Sequence, residues 1–240
     1  MKHRIRVLAA GSLRSIWPAI QAHFNADDID IQFGPAGTLQ RRITRGEECD
    51  LFLSANLAHP QALVRAGLAL NMSPFCRNTL ALTVRQDLRR MNWLELLQNP
   101  AYRVATSTPL SDPCGDYAWQ LFERIESDIP GMGDSLKQRA LTLVGGEQSA
   151  AVPAGIPASS WVIQSNQAEV FIGYSSYARQ RASDDGVGHI TIPERFQPDI
   201  QYSLALCHSR ALPLAEFLLS SAGNALFQRY GFLPLDIRAA

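Results

Sequence analysis

Strand-like and helix-like segments alternate along this chain, and three times a strand-like run breaks on small residues and hands over to a helix. Ile5-Arg-Val-Leu-Ala-Ala10 runs into Gly11-Ser12, and Asp30-Ile-Gln-Phe33 into Gly34-Pro-Ala-Gly-Thr38. Arg103-Val-Ala-Thr106 leads to Asp112-Pro-Cys-Gly115, and the loop Val152-Pro-Ala-Gly-Ile-Pro157 has a similar design. Such alternation is the signature of layered α/β architecture. Each junction sets unpaired helix N–H groups, and about half a positive charge, beside small residues that let an anion approach the backbone. Turns of this kind occur throughout α/β proteins, so four of them mark candidate anion seats without showing that they converge.

The pattern predicts further elements. Ser12 is placed to cap a helix carrying Ile16, Ile20 and Phe24, which Pro18 delays or kinks. Thr38 is placed to cap a second helix with Leu39 and Ile43 on its apolar face. Strands are expected at Cys49–Leu53, Thr79–Val84, Ala168–Tyr174 and Ile200–Cys207, and helices at Pro60–Leu68 and Ala158–Ser165. Asp112 followed by Pro113 gives the N-cap and first-turn signal of a helix bearing Ala118, Leu121, Phe122 and Ile125. A closing helix, Leu212 to Tyr230, is expected to stop at Gly231. No linker separates domains, so a two-lobed chain must cross between lobes within strands, near Asn78 and again near Tyr202.

At 240 residues with 46% apolar content, the chain is long enough to bury two cores. Lysine plus arginine equal aspartate plus glutamate at 22 each, so there is no basic excess of the kind nucleic-acid binding needs. An anion binder without net charge must rely on local dipoles and hydrogen bonds. Cys49, Cys76, Cys114 and Cys207 show no C-x-x-C spacing; Cys49, Cys76 and Cys207 read as small apolar residues in or beside strands, which suits a reducing compartment. The basic start, Met1-Lys-His-Arg, is followed by an apolar run ending at Ala10, too short for a signal-peptide core. No stretch approaches the roughly 20 apolar residues of a membrane helix.

Five motifs, in order and spanning nearly the whole chain, carry a resemblance: Val7-Leu-Ala-Ala-Gly-Ser12-Leu, Phe33-Gly-Pro-Ala-Gly-Thr-Leu39, Cys49-Asp-Leu-Phe-Leu-Ser-Ala55, Ile172-Gly-Tyr174 and Phe227-Gln-Arg-Tyr-Gly-Phe232. Together they resemble the periplasmic molybdate-binding protein family, the substrate-binding components of ABC importers for molybdate or tungstate. The resemblance implies an α/β, type II periplasmic-binding-protein fold: residues 1–78 plus 203–240 form one lobe, 79–202 the other, and a ligand cleft lies between them. It implies a monomer that holds a dehydrated tetrahedral oxyanion through neutral donors, uses no cofactor, binds no cation directly, and delivers its cargo to a permease.

Carried over, Ser12 donates its hydroxyl and N–H, and Ala36, Gly37 and Thr38 form the second contact of the first lobe. Cys114 and Ile156 offer backbone N–H groups, and Tyr174 its phenol, from the second lobe. Three departures stand out. Ala36 occupies a position where the family usually has serine, Cys114 replaces a small inert residue, and the absent signal peptide leaves a cytoplasmic location open beside the implied periplasmic one.

Rival readings rest on particular residues. Cys114 at a helix start suits a lowered thiol pKa, but none of His3, His23, His59, His189 or His208 sits in an activating motif, so the chain is not read as an enzyme. Ser12 lacks a G-x-S-x-G context, and the histidines lack metal-ligand spacing. An effector-sensing module of a regulator would need a DNA-binding partner. The same fold binding another oxyanion or a small organic acid is the strongest competitor, because of Ala36 and the Gly145–Pro157 loop. Trp17, Trp93, Trp119 and Trp161 read as core residues, and Arg41, Arg42 and Arg45 as a solvated face or a permease-docking surface.

Overall fold

The computed structural model describes residues 4–25, 28–153, 155–180 and 186–235. The Met1-Lys-His3 start and Ala154 of the fourth junction lie outside the described residues. The chain divides into two compact units, Met1–Asn78 with Ile200–Ala240, and Thr79–Asp199. The second boundary falls at Asp199 and not after Tyr202, because Ile200 already pairs with Asn78 in the first unit's sheet.

Elements are numbered along the chain. In the first unit, β1 (Ile5–Ala10), β2 (Ile29–Gly34) and β3 (Leu51–Ser54) run parallel. Strand β10 (Ile200–Leu206) is antiparallel to β3 and to β4 (Asn71–Asn78), giving the order β2-β1-β3-β10-β4. Val7 to Ala10 of β1 and the whole of β3 are buried, which is why they read as continuous apolar runs. Strand β4 was not expected. Its Asn71-Met-Ser-Pro start is polar and carries a proline, features tolerated at a sheet edge, and the pairing with β10 shifts register beside Pro74.

Helices α1 (Trp17–Gln21), α2 (Ala36–Thr44) and α3 (Ala58–Arg65) follow β1, β2 and β3. The expected closing helix is two: α9 (Leu212–Leu219) and α10 (Ser221–Arg229). Ser220 leaves helical geometry at ψ 165° and its hydroxyl accepts the Gly223 N–H at 3.1 Å, starting the second helix. Gly231, at φ +81°, ends α10 as expected. Phe75, Tyr202, Phe227 and Phe232 then interlock, with ring centroids 5.1 Å apart for Phe75–Phe227 and 5.4 Å for Tyr202–Phe232.

The second unit repeats the plan. Strands β6 (Val104–Ser107), β7 (Leu141–Val144) and β8 (Val170–Tyr174) are parallel, and β5 (Leu80–Arg85) runs antiparallel to β8 and to β9 (Val187–Thr191). The order is β7-β6-β8-β5-β9. Around it lie α4 (Trp93–Gln98), α5 (Pro113–Asp128), α6 (Met132–Arg139), α7 (Ala158–Gln164) and α8 (Ser175–Gln180). One core cluster joins Ala105, Val144, Val162, Ile163, Ala168, Phe171 and Val187. Glu169 pins the starts of β6 and β8 together by accepting the Arg103 N–H at 2.8 Å and its guanidinium at 2.7 and 3.1 Å. In both sheets three parallel strands end at one edge, where open α/β sheets place their ligand crevices.

Candidate functional site

In the first unit, Ala10 of β1 pairs with Gly34 of β2, so the turns that follow them start side by side. Ser12 caps no helix. It lies in a 3-10 turn, Gly11–Leu13, and is buried. Its Oγ accepts a 2.8 Å hydrogen bond from the Tyr202 hydroxyl, itself fully buried, and the Asn78 amide donates to that same tyrosine oxygen at 3.5 Å. Because Tyr202 has its proton on Ser12, the serine keeps its own proton to donate.

Thr38 caps no helix either, because Pro35, extended at ψ 127°, is the N-cap of α2 and Thr38 sits inside its first turn. Proline has no side-chain acceptor to offer, so no side chain caps the first-turn amides of Ala36, Gly37 and Thr38. The Thr38 hydroxyl accepts from the Arg41 guanidinium at 3.2 Å. Like Ser12, it therefore keeps its own proton to donate. Arg41 thus belongs to the α2 start as well as to the solvated face expected of it, and it adds positive charge beside the uncapped amides. Arg14, two residues after Ser12, lies 5.0 Å over the Phe33 ring at the end of β2. Arg42 is occupied elsewhere, by Glu47 and Gln32.

The second unit's helix start is closed. Asp112 caps α5, and its carboxylate accepts the Cys114 N–H at 3.1 Å, while the Gly115 N–H goes to the Asp112 carbonyl at 2.9 Å. The N–H that the resemblance assigns to a ligand at Cys114 is therefore already engaged. Asp112 is half-buried as a residue, but its carboxylate lies so close to Gly145 that a Cβ there would meet Oδ2 at 2.8 Å. This burial raises the Asp112 pKa to about 6, against the opposing pull of the Cys114 N–H and the Ser107 hydroxyl, with Asp116 adding to the rise. A seat expected to be all donors thus contains an acceptor.

Cys114 itself is buried, its Sγ 4.0 Å from the Ile172 carbonyl. Burial, then the neighbouring Asp112 charge, pushes its pKa up, the opposite of what a thiolate nucleophile needs. Ile156 is exposed and its N–H is directed to the Pro153 carbonyl at 3.3 Å. Tyr174 ends β8, largely buried and paired with Leu80. Ser12, Ala36, Gly37 and Thr38 thus gather at one edge of the first sheet, and Cys114 and Tyr174 approach each other in the second unit, where the Cys114 thiol accepts from the Tyr174 backbone. The roles of Tyr202 and Arg41 were not anticipated, and Asp112 was expected as the α5 cap but not as an acceptor in a ligand seat. Only Asp112 had a local signal, the Asp-Pro pair itself.

Among the described residues there is no cluster of three or more His, Cys, Asp or Glu able to hold a metal ion, and no helix long and apolar enough to cross a membrane. Residues 5–233 match a family model described as bacterial extracellular solute-binding protein. An uncharacterised protein of Pasteurella multocida is 37% identical over 97% of this chain and 99% of its own. The molybdate-binding protein ModA of Escherichia coli is 26% identical, covering 95% of this chain and 88% of its own. Among solved structures, the sulfate-binding protein SubI of Mycobacterium tuberculosis superposes with a TM-score of 0.77 at 21% identity, over 98% of this chain and 88% of that one. The fold is the two-lobed α/β periplasmic-binding-protein fold, as the sequence motifs implied.

Proposed function

We propose that this chain, which belongs to the family of bacterial extracellular solute-binding proteins, captures a tetrahedral oxyanion between its two units and passes it to an ABC importer permease. In this reading the ligand is molybdate or tungstate and the compartment is the periplasm. The observation that carries it is the donor bias of the first unit: the Ser12 and Thr38 hydroxyls each already accept a bond, from Tyr202 and Arg41, so each has one acceptor position filled and its own proton still to give. With the uncapped Ala36, Gly37 and Thr38 amides they form a seat that rewards a ligand rich in acceptors. Tyr174 supplies a phenol from the second unit, and the Cys114 and Ile156 amides share themselves between their internal acceptors and the ligand.

The likeness to a molybdate-binding and to a sulfate-binding protein supports an oxyanion and leaves the choice among oxyanions to this chain's own residues. Ala36 removes the hydroxyl usual at its position, a loss of about 1.5–3 kcal/mol for a bond to a charged ligand. Arg41 is placed to offset part of it. Closure of two lobes around the ligand is the motion this fold class performs.

A second reading is favoured by Asp112. An acceptor at the α5 start suits a ligand that brings its own proton, such as hydrogen phosphate or a phosphomonoester, whose O–H would go unsatisfied in a donor-only site. Thermal melting with molybdate, tungstate, sulfate, phosphate and a phosphomonoester separates the two. A ligand at 100 times its dissociation constant adds about 2.7 kcal/mol of stability. An upshift with molybdate or tungstate, lost in Ser12→Ala/Tyr174→Phe, supports the first reading, and a shift with phosphate species alone supports the second. No shift with any of them defeats both.

A further inference from the structure

We propose that Cys49 and Cys207 form a redox pair that closes to a disulfide in the oxidised protein. The two lie where the β3–β10 ladder ends. Its last rung is Leu51 with Leu206, and beyond it the Cys207 and His208 amides both converge on the Asp50 carbonyl, at 2.9 and 3.1 Å. Two successive amides on one oxygen set two residues of this chain against one of the other, as in a β-bulge, and break the strict alternation of the ladder at Cys207. Cys207 thus lies across from Asp50, the neighbour of Cys49, and the two thiols interact although 49 and 207 are remote in sequence.

The setting is fixed and accessible. Asp50, between them in the ladder, is buried and held by the Arg6 N–H at 2.9 Å and by Arg210 at 3.1 Å. Both residues are half-buried, so neither is sealed in a core as Cys76 and Cys114 are. The contact also polarises the pair: the Cys49 hydrogen bond lowers the Cys207 pKa, while the same bond and burial raise that of Cys49. Cys207 is the attacking thiolate.

The oxidant is a disulfide-bearing compound or protein. The Cys207 thiolate attacks one of its sulfurs, giving a mixed disulfide and one free oxidant thiolate. Cys49 gives its proton to solvent, attacks the Cys207 sulfur and expels the second oxidant thiolate. Two electrons and two protons leave the protein, and the oxidant ends as two thiols. The new bond ties the first-unit strands on either side of the entire second unit, a long loop of the kind whose closure most restricts the unfolded chain.

Oxidised glutathione on the full-length native chain, followed by alkylation under denaturing conditions and mass spectrometry, tests this. The reduced protein carries four thiols. After oxidation two are expected to take up alkylating reagent, with a single peptide linking Cys49 to Cys207. The melting temperature should rise by about 5–10 °C and return on treatment with dithiothreitol. In Cys49→Ser the pair cannot close, and Cys207 is expected to stop at a glutathione adduct. Four alkylated thiols after oxidation, stable glutathione on both Cys49 and Cys207 of the wild type, or a link between any other pair overturns the proposal.

Discussion

Asparagine in place of Asp112 alters the charge of one side chain and almost nothing of its shape. Asn caps helices as well as Asp, so the bond to the Cys114 N–H survives the change. What disappears is the cost of ionising a carboxyl pressed against Gly145. Its pKa rises from 3.8 to about 6 on folding, so the folded state binds the proton more tightly than the unfolded chain. Wild-type stability therefore falls as pH climbs through that window and stays reduced above it. At about 1.4 kcal/mol for each pH unit, the reduction reaches roughly 3 kcal/mol. Urea unfolding followed by tryptophan fluorescence, at pH 4 and pH 8, is the assay. Asp112→Asn is expected to be more stable than wild type by about 2–3 kcal/mol at pH 8 and within about 0.5 kcal/mol of it at pH 4. Equal stabilities at pH 8, or a less stable variant there, would show that the carboxylate is adequately solvated and that the second unit holds no strained acceptor.

Three other substitutions probe the frame of the site. Tyr202→Phe leaves the buried Ser12 hydroxyl without its donor and should cost about 1–3 kcal/mol in urea unfolding. It should also weaken oxyanion binding by calorimetry, because Ser12 is free to turn its proton inward; unchanged affinity would remove Tyr202 from the site. Gly115→Ala places a Cβ 2.5 Å from the Ser107 carbonyl and 2.6 Å from the Pro109 nitrogen, both backbone atoms. A loss of about 1–3 kcal/mol or more is expected, and a wild-type melting temperature would mean that the 107–109 loop yields freely. Arg103→Ala abandons the Glu169 carboxylate, whose pKa the guanidinium and the Arg103 N–H hold below the ordinary carboxylate range. A loss of about 1–3 kcal/mol at pH 7 should shrink as the pH falls below the ordinary carboxylate pKa, and a pH-independent loss would assign the effect to packing.

How much of this could be read from the chain follows from where information is local. β8 is buried along its length, and Val7–Ala10 of β1 and Leu80–Val84 of β5 are buried too, each visible as a mostly apolar run. β4, β7 and β9 are edges or short, with polar or exposed positions such as Asn71 and Leu141, and their pairing is decided by strands distant in sequence. The α5 cap was legible because Asp-Pro is a two-residue signal. The caps assigned to Ser12 and Thr38 were not made: the chain turns tightly after Ala10, and Pro35 moves the α2 start two residues ahead of Thr38. Tyr202 illustrates the limit. Its contact with Ser12 bridges 190 residues, and nothing near Tyr202 distinguishes it from any aromatic in a buried strand.

The unequal chemistry of the two helix starts, one an uncapped donor seat and the other closed by a carboxylate, makes pH a discriminator between ligand classes. In the proposed closed form the ligand meets both. A ligand that stays fully deprotonated, such as molybdate or sulfate, then places negative charge beside Asp112 and drives its pKa above the unliganded value of about 6. Binding must draw a proton from solvent at any pH between the two values. Affinity should therefore be flat below pH 6 and fall by up to about tenfold per pH unit above it. A ligand that carries a proton of its own can give Asp112 a hydrogen bond without that uptake, and its affinity should hold or rise between pH 6 and 8 as the carboxylate ionises. Titration calorimetry in two buffers of different ionisation enthalpy counts the proton directly. Uptake with molybdate places it against Asp112; pH-independent molybdate binding without proton uptake would mean that the oxyanion sits on the first unit's donors alone, with Asp112 outside its reach.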